Sequence, residues 1–209
     1  MERSMMHYLM LSSLVLLSIT SCSPAKLGKY EKVKDDNLAM AKRRVSTATY
    51  NTQIDLWGKH FSGLMVYKAT SDSSERAIFI TETGFKFFDF EFTPNGFHIK
   101  FCIKGLNKKF IINILRRDLG YFSDFRHLQN ALARKTGNGI IYLLKTGNNR
   151  FDYYTTNTDG TEIKKIEHGN DRHKSLVVNF DGLKSGNFDT IRIDDHSAHL
   201  KIFMKQIDQ

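Results

Sequence analysis

The sequence predicts a mainly β domain with antiparallel connections and helical packing against it, an α+β arrangement. Three observations lead there. Short apolar-alternating runs recur at regular spacing, turn residues separate them, and a single segment switches from a period of two to a helical period. The runs are "HFSGLMVYKA", "ERAIFITE", "GFKFFDFEF" and "FHIKFCIK", then "GIIYLLKT", "RFDYYTT", "TEIKKIEH", "SLVVNFDG", "FDTIRI" and "AHLKIFMKQI". Between them stand "TSDSS", "TPNG", "GNN", "NTDG", "GNDRHK" and "DDHS", which supply the small and polar residues that turns need. No internal repeat and no second composition class divides the chain, so residues 45–209 read as one domain.

The helical segment is "NKKFIINILRRDLGYF". Ile111, Leu115 and Leu119 recur at i, i+4 and i+8 beside Phe110 and Ile114, while Lys109, Asn113, Arg116 and Arg117 take the other side. Asn107 is the expected N-cap and Gly120 the expected stop. The apolar stripe should pack on a sheet. The basic side suits solvent, or lipid headgroups.

The Phe-rich run is the most informative strand. If "TPNG" is a four-residue turn, Phe92 faces Phe97, Phe90 faces Ile99 and Phe88 faces Phe101 on an inner side. Glu91 then faces His98, and Asp89 faces Lys100, on the other side. Apolar pairs on one face and opposite charges on the other are what cross-strand pairing favours. In this register Phe87 falls opposite Cys102, and Phe85 lies beyond in the loop "TETG". Phe85 and Phe87 are thus covered by a curl of the sheet, or offered to a lipid or partner.

The N-terminus speaks for the cell envelope. "YLMLSSLVLLSI" is about a dozen apolar residues, well short of the roughly 20 a membrane-spanning helix needs. It reads as a secretory signal over residues 1–21. Ile19-Thr20-Ser21-Cys22 resembles a bacterial lipobox, in which the cysteine thiol is alkylated by a diacylglycerol and becomes the new N-terminus. That resemblance implies a thioether lipid and an amide-linked acyl chain on Cys22, enough for stable anchoring. Only Cys102 then remains, so no intramolecular disulfide is available. Residues 22–44 are polar and read as a tether. Ser23 follows the cysteine, and known sorting rules imply export to the periplasmic leaflet of the outer membrane where no aspartate stands there. The net charge of +9 suits acidic headgroups, or serves solubility alone. Outside the cytoplasm nucleic acid is not the expected partner.

With these residues in hand, the chain resembles the LolA/LolB group of lipoprotein carriers and outer-membrane lipoprotein receptors, on the LolB side because LolB is itself a lipoprotein. The resemblance is carried by "FSGLMVYKATSDSSERAIFITETGFKFFDFEF" and by "FDTIRIDDHSAHLKIFMKQI". The chain also resembles lipoproteins of Bacteroidota. The resemblance implies an incompletely closed, antiparallel half-barrel whose concave apolar face is covered by helices. It would accept lipoprotein acyl chains or phospholipid, from a LolA-like periplasmic carrier, and deliver them to the outer membrane. Phe88, Phe90, Phe92, Ile99 and Phe101 would line that face. The loop Thr81 to Phe85 matches the place of a protruding apolar loop in the LolB pattern, so Phe85 and Phe87 become candidates for membrane or partner contact. The group's proline is absent from this loop. A monomer is expected, and the same fold could instead serve an accessory envelope lipoprotein without cargo.

Signs of catalysis are few. His196 and His199 form H-x-x-H beside two aspartates, and His168, Asp171 and His173 share a loop, but a zinc site needs three or four convergent ligands. The sequence has no G-x-S-x-G, H-E-x-x-H or phosphate-binding loop. Cys102 lacks an evident base. A non-enzymatic protein without metal or cofactor is the expectation.

Overall fold

The computed structural model describes residues 30–32, 47–70, 74–121, 131–184 and 186–207. The expected signal, Cys22 and most of the expected tether lie outside the described residues. The strands are β1 (Glu31–Lys32), β2 (Ala48–Leu56), β3 (Lys59–Ala69), β4 (Glu75–Ile80), β5 (Lys86–Thr93) and β6 (Gly96–Cys102). After the helix α1 (Lys109–Leu119) come β7 (Leu132–Thr136), β8 (Gly139–Gly147), β9 (Arg150–Thr156), β10 (Ile163–Gly169), β11 (Lys174–Lys184), β12 (Asn187–Asp195) and β13 (Leu200–Gln206). They form a single antiparallel sheet in the order β1-β7-β8-β9-β10-β11-β12-β13-β2-β3-β4-β5-β6. Only β1–β7 and β13–β2 join strands distant in sequence; the rest are hairpins and meanders, or adjoin along the chain. Among the described strands its edges are β1 and β6, and these do not pair with each other. The expected plural of packed helices gives way to one helix among the described residues.

The sheet is strongly curved, and the helix proves it. The Arg116 guanidinium lies 5.5 Å from the centre of the Phe97 ring on β6. Tyr121, just past the end of the helix, donates its hydroxyl to Asp152 on β9 at 3.0 Å. β9 stands fourth in the order and β6 thirteenth, about 43 Å apart in a flat sheet. One short helix cannot bridge that gap, so the strands wrap around it and α1 lies in the concavity.

Alternation builds the concave face. Tyr50, Ile54 and Leu56 of β2, Met65 and Tyr67 of β3, Ala77 and Phe79 of β4, and Ile191, Ile193, Ile202 and Met204 of β12 and β13 are buried together in one apolar cluster. Ile111, Ile112, Leu115 and Leu119 of α1 join it, as the helical period requires. Lys108 takes the N-cap position with no side-chain bond, in place of the expected Asn107, and Gly120 ends the helix as expected.

The register of the Phe-rich hairpin departs from expectation at its far end. Phe92 pairs with Phe97, Glu91 with His98 and Phe90 with Ile99, as expected, around a tight turn at Pro94 and Asn95. An extra residue, Lys100, then shifts the pairing, so that Asp89 stands opposite Phe101 and Phe88 opposite Cys102. A second bulge, between β4 and β5, leaves Phe87 as the extra residue, with Phe79 opposite Phe88 and Ile80 opposite Lys86. An ion pair lies beside both bulges. Asp89 is buried and needs a cation, which it finds on β4: Arg76 Nε donates to its Oδ1 at 3.0 Å, and a second guanidinium nitrogen pairs with Oδ2. Lys86 Nζ completes the group at 3.1 Å from Oδ2. Lys100, expected opposite Asp89, pairs with Glu91 at 2.8 Å.

Candidate functional site

The five side chains expected to line an acyl-binding wall separate into two groups. Phe88, Phe90 and Phe92 are buried on the concave face, where the Phe88 and Phe90 rings stack with centroids 4.4 Å apart. Ile99 stays on the side of Phe90 but stands on the edge strand and is 43% exposed. Phe101, moved by the bulge to the side of Asp89, is also 43% exposed, with Lys86 Nζ 5.9 Å from its ring. The edge position and the bulge, both invisible in a two-strand pairing, account for the difference.

Phe85 and Phe87 also part company. The β4–β5 bulge turns Phe87 toward the interior, where its half-buried ring lies 5.1 Å from Phe79 and 5.5 Å from Phe61. Phe85 is 57% exposed. Its loop is nonetheless well made. Thr81 N–H donates to Phe85 O at 2.8 Å, Phe85 N–H donates to Thr81 Oγ1 at 2.9 Å, and Gly84 N–H donates to Thr81 O at 2.9 Å. Gly84 has φ 87°, which a residue with a Cβ adopts only under strain.

Beneath the helix C-terminus the concave face turns polar. Arg117 Nε donates to Asp118 Oδ1 at 2.7 Å, and its guanidinium also pairs with Asp195. Asp195 is fully buried, and its other oxygen accepts from Ser197 N–H at 2.9 Å, Ser197 Oγ at 2.6 Å and Ala198 N–H at 3.2 Å. Nearby Asp152 Oδ1 accepts from Tyr121 and lies 2.6 Å from His168 Nδ1. Asp152, His168, Leu176, Asp195 and Leu200 follow one another across neighbouring strands, so these groups form one transverse row. Sequence reasoning missed it, because its members are far apart in the chain and each is a common surface residue.

The histidine constellations do not converge. His168 turns inward to Asp152, Asp171 accepts from Tyr153 Oη at 2.5 Å, and His173 is exposed. His196 and His199 sit in the β12–β13 turn and line an open pocket of about 550 Å³ with Asp55, Asp194, Asp195 and Lys201. Among the described residues, no group of three or more His, Cys, Asp or Glu could hold a metal ion. Burial pushes the Cys102 thiol above its ordinary pKa, which disfavours a nucleophilic thiolate. Burial, with a smaller contribution from Asp189, raises the Tyr50 phenol to about 12.

No protein-family model matches the chain, and no curated protein matches it. Solved structures that it is similar to include a DUF1329 family protein from Desulfovibrio piger, at 9% identity and TM-score 0.44 over 82% of this chain and 89% of that one. A domain assigned to outer-membrane lipoprotein sorting, from Vibrio parahaemolyticus, is 9% identical at TM-score 0.47, over 81% of this chain and 87% of that one. A LolA superfamily protein from Nitrosomonas europaea is 14% identical at TM-score 0.43, over 83% and 91% of the two chains. These likenesses concern the path of the chain alone.

Proposed function

We propose that the protein is a lipid-anchored envelope lipoprotein of LolA/LolB type that takes up acyl chains between α1 and the aromatic concave face and passes them to the outer membrane, without catalysing a reaction. The observation that supports this most is the pairing of one amphipathic helix with an open, curved sheet whose concave wall includes Phe79, Phe88, Phe90 and Phe92. Acyl chains need apolar area rather than directed hydrogen bonds, and each buried CH₂ contributes about 0.8 kcal/mol. Described side chains fill the wall, so an acyl chain enters as α1 moves away from the phenylalanines. The lipobox resemblance at Cys22 supplies the anchor, and the periplasmic face of the outer membrane is the proposed location.

The competing reading is an accessory envelope lipoprotein that uses the fold without cargo. The close packing favours it: Tyr50, Met65, Phe79, Phe88, Phe90, Leu115 and Leu119 each expose under 2% of their surface. Depletion of the protein, followed by membrane fractionation, separates the two. The carrier reading predicts lipoproteins held back from the outer membrane, whereas unchanged sorting favours the accessory role. Lipoprotein or lipid co-purifying with the detergent-extracted protein supports uptake directly.

A further inference from the structure

The end of the sheet reached by the β2–β3 turn, the β4–β5 loop and the β6–α1 connection carries an aromatic surface that the concave core does not use. These three connections lie at one end because β2 to β6 are consecutive antiparallel neighbours. Trp57 and Phe110, 42% and 51% exposed, pack on each other with ring centroids 4.9 Å apart. Phe85 tips the second loop, its ring 5.5 Å from Phe87, and Phe87 rests on Phe61 from β3. Phe101 stands beside Lys86 on the outer edge.

The backbone commits to this display. Trp57 has φ 48° and Gly58 φ 73°, so the two-residue turn takes the left-handed conformation at both positions. Asparagine or glycine suits the first position, and a bulky aromatic there is strained. Such strain at an exposed side chain, making little use of the core, points toward a contact outside the chain.

Charge selects the kind of contact. Lys59, Lys104, Lys108 and Lys109 lie in or beside these connections and Lys86 is engaged by Asp89, while Glu82, Asp55 (held by His60) and Asp194 (beside His196) are acidic residues of the same end, so the free charge there is net positive. Lys59, Lys104, Lys108 and Lys109 are exposed. Aromatic rings flanked by lysines match a bilayer interface, where the rings enter the headgroup region and the ammonium groups meet phosphates. We propose that Trp57, Phe110 and Phe85 form a platform that docks on an anionic phospholipid bilayer, with the lysines supplying the attraction. This deepens the proposed function, because it sets the first turn of α1 against the membrane. It does not depend on an acyl cargo being bound.

Trp57 is the only tryptophan in the chain, so its fluorescence reports on this surface alone. The full lipidated protein is reconstituted in phosphatidylethanolamine vesicles with or without phosphatidylglycerol, the acyl chains brominated in a parallel set. The platform predicts a blue-shifted Trp57 emission that brominated lipid quenches, more strongly with phosphatidylglycerol present. The paired change Lys108→Glu and Lys109→Glu should lower the docked fraction at least tenfold, since each basic residue near an anionic surface is worth about fivefold in partition. Phe110→Ala should reduce quenching while far-ultraviolet circular dichroism stays unchanged. Trp57 emission that is identical in solution and in both vesicle types, or that responds only to an added protein, overturns the proposal. Acyl cargo found on a protein whose Trp57 is not quenched refutes the platform and leaves the carrier reading standing; quenching without cargo does the reverse.

Discussion

Two regions meet under α1 and hold it by different means. On the side of β3 to β5, aromatic rings close the concavity: Phe79 packs at a tilt on Phe88, which stacks on Phe90, in the same apolar cluster as the helix stripe. On the side of β9 to β12, carboxylates and their partners do so, with Arg117 between Asp118 and Asp195, and Asp152 between Tyr121 and His168. Apolar packing is non-directional and can accept a substitute of similar shape, such as an acyl chain. A buried ion pair tolerates no such exchange, because either partner left alone is costly. The helix is thus tied down at its C-terminal end and merely packed along the rest.

Mutations should reveal the asymmetry. Phe88→Ala removes a ring buried to 1% exposure and should destabilise by about 3–5 kcal/mol in denaturant unfolding. Added fatty acid should restore part of that loss, since it can refill an apolar space. Arg117→Ala leaves two buried carboxylates without their shared cation. The effect is about 3 kcal/mol, at the lower end for a buried pair because the guanidinium still reaches solvent. Fatty acid should restore none of it. Rescue of both variants, or of neither, would erase the distinction between the two regions.

Smaller changes sharpen it. Tyr121→Phe removes one hydrogen bond to Asp152, which keeps His168, and should cost about 1 kcal/mol. Tyr50 has no such effect at neutral pH and acts only in alkali. Its folded pKa lies near 12 against an ordinary 10, so the folded state holds a proton that the unfolded chain releases. Its contribution is therefore complete below pH 10 and is lost as the pH rises through about 12. Tyr50→Phe should flatten the fall in stability across that window, measured by urea midpoints at each pH.

Most strands were legible because alternation survives wherever one face is buried. The helix stripe was equally legible, since Ile111, Leu115 and Leu119 repeat without interruption. β2 was missed because Thr49, Asn51, Thr52 and Gln53 dilute its apolar alternation, and β7 because "LARKT" is short and basic. The bulges at Phe87 and Lys100 were illegible for a different reason. The hairpin alone offers Asp89 a plausible partner in Lys100, and only the adjacent strand supplies Arg76. Exposure of Phe101 follows from the Lys100 bulge and interior placement of Phe87 from the β4–β5 bulge, and both bulges lie beside that non-local ion pair. The polar row under the helix was hidden likewise, for Asp152, His168 and Asp195 come together only through the sheet order.

Acyl chains are proposed to lie between α1 and the phenylalanine wall, and photocrosslinking locates them. A fatty acid bearing a diazirine at its chain end is bound to the purified protein, irradiated, and located by peptide mass spectrometry. Crosslinks on the peptides that hold Phe88, Phe90 and Phe92, and on Ile111 to Leu115 of the helix, are the predicted result. Crosslinks confined to the exposed platform of Trp57 and Phe110, or spread evenly over the surface, would contradict it.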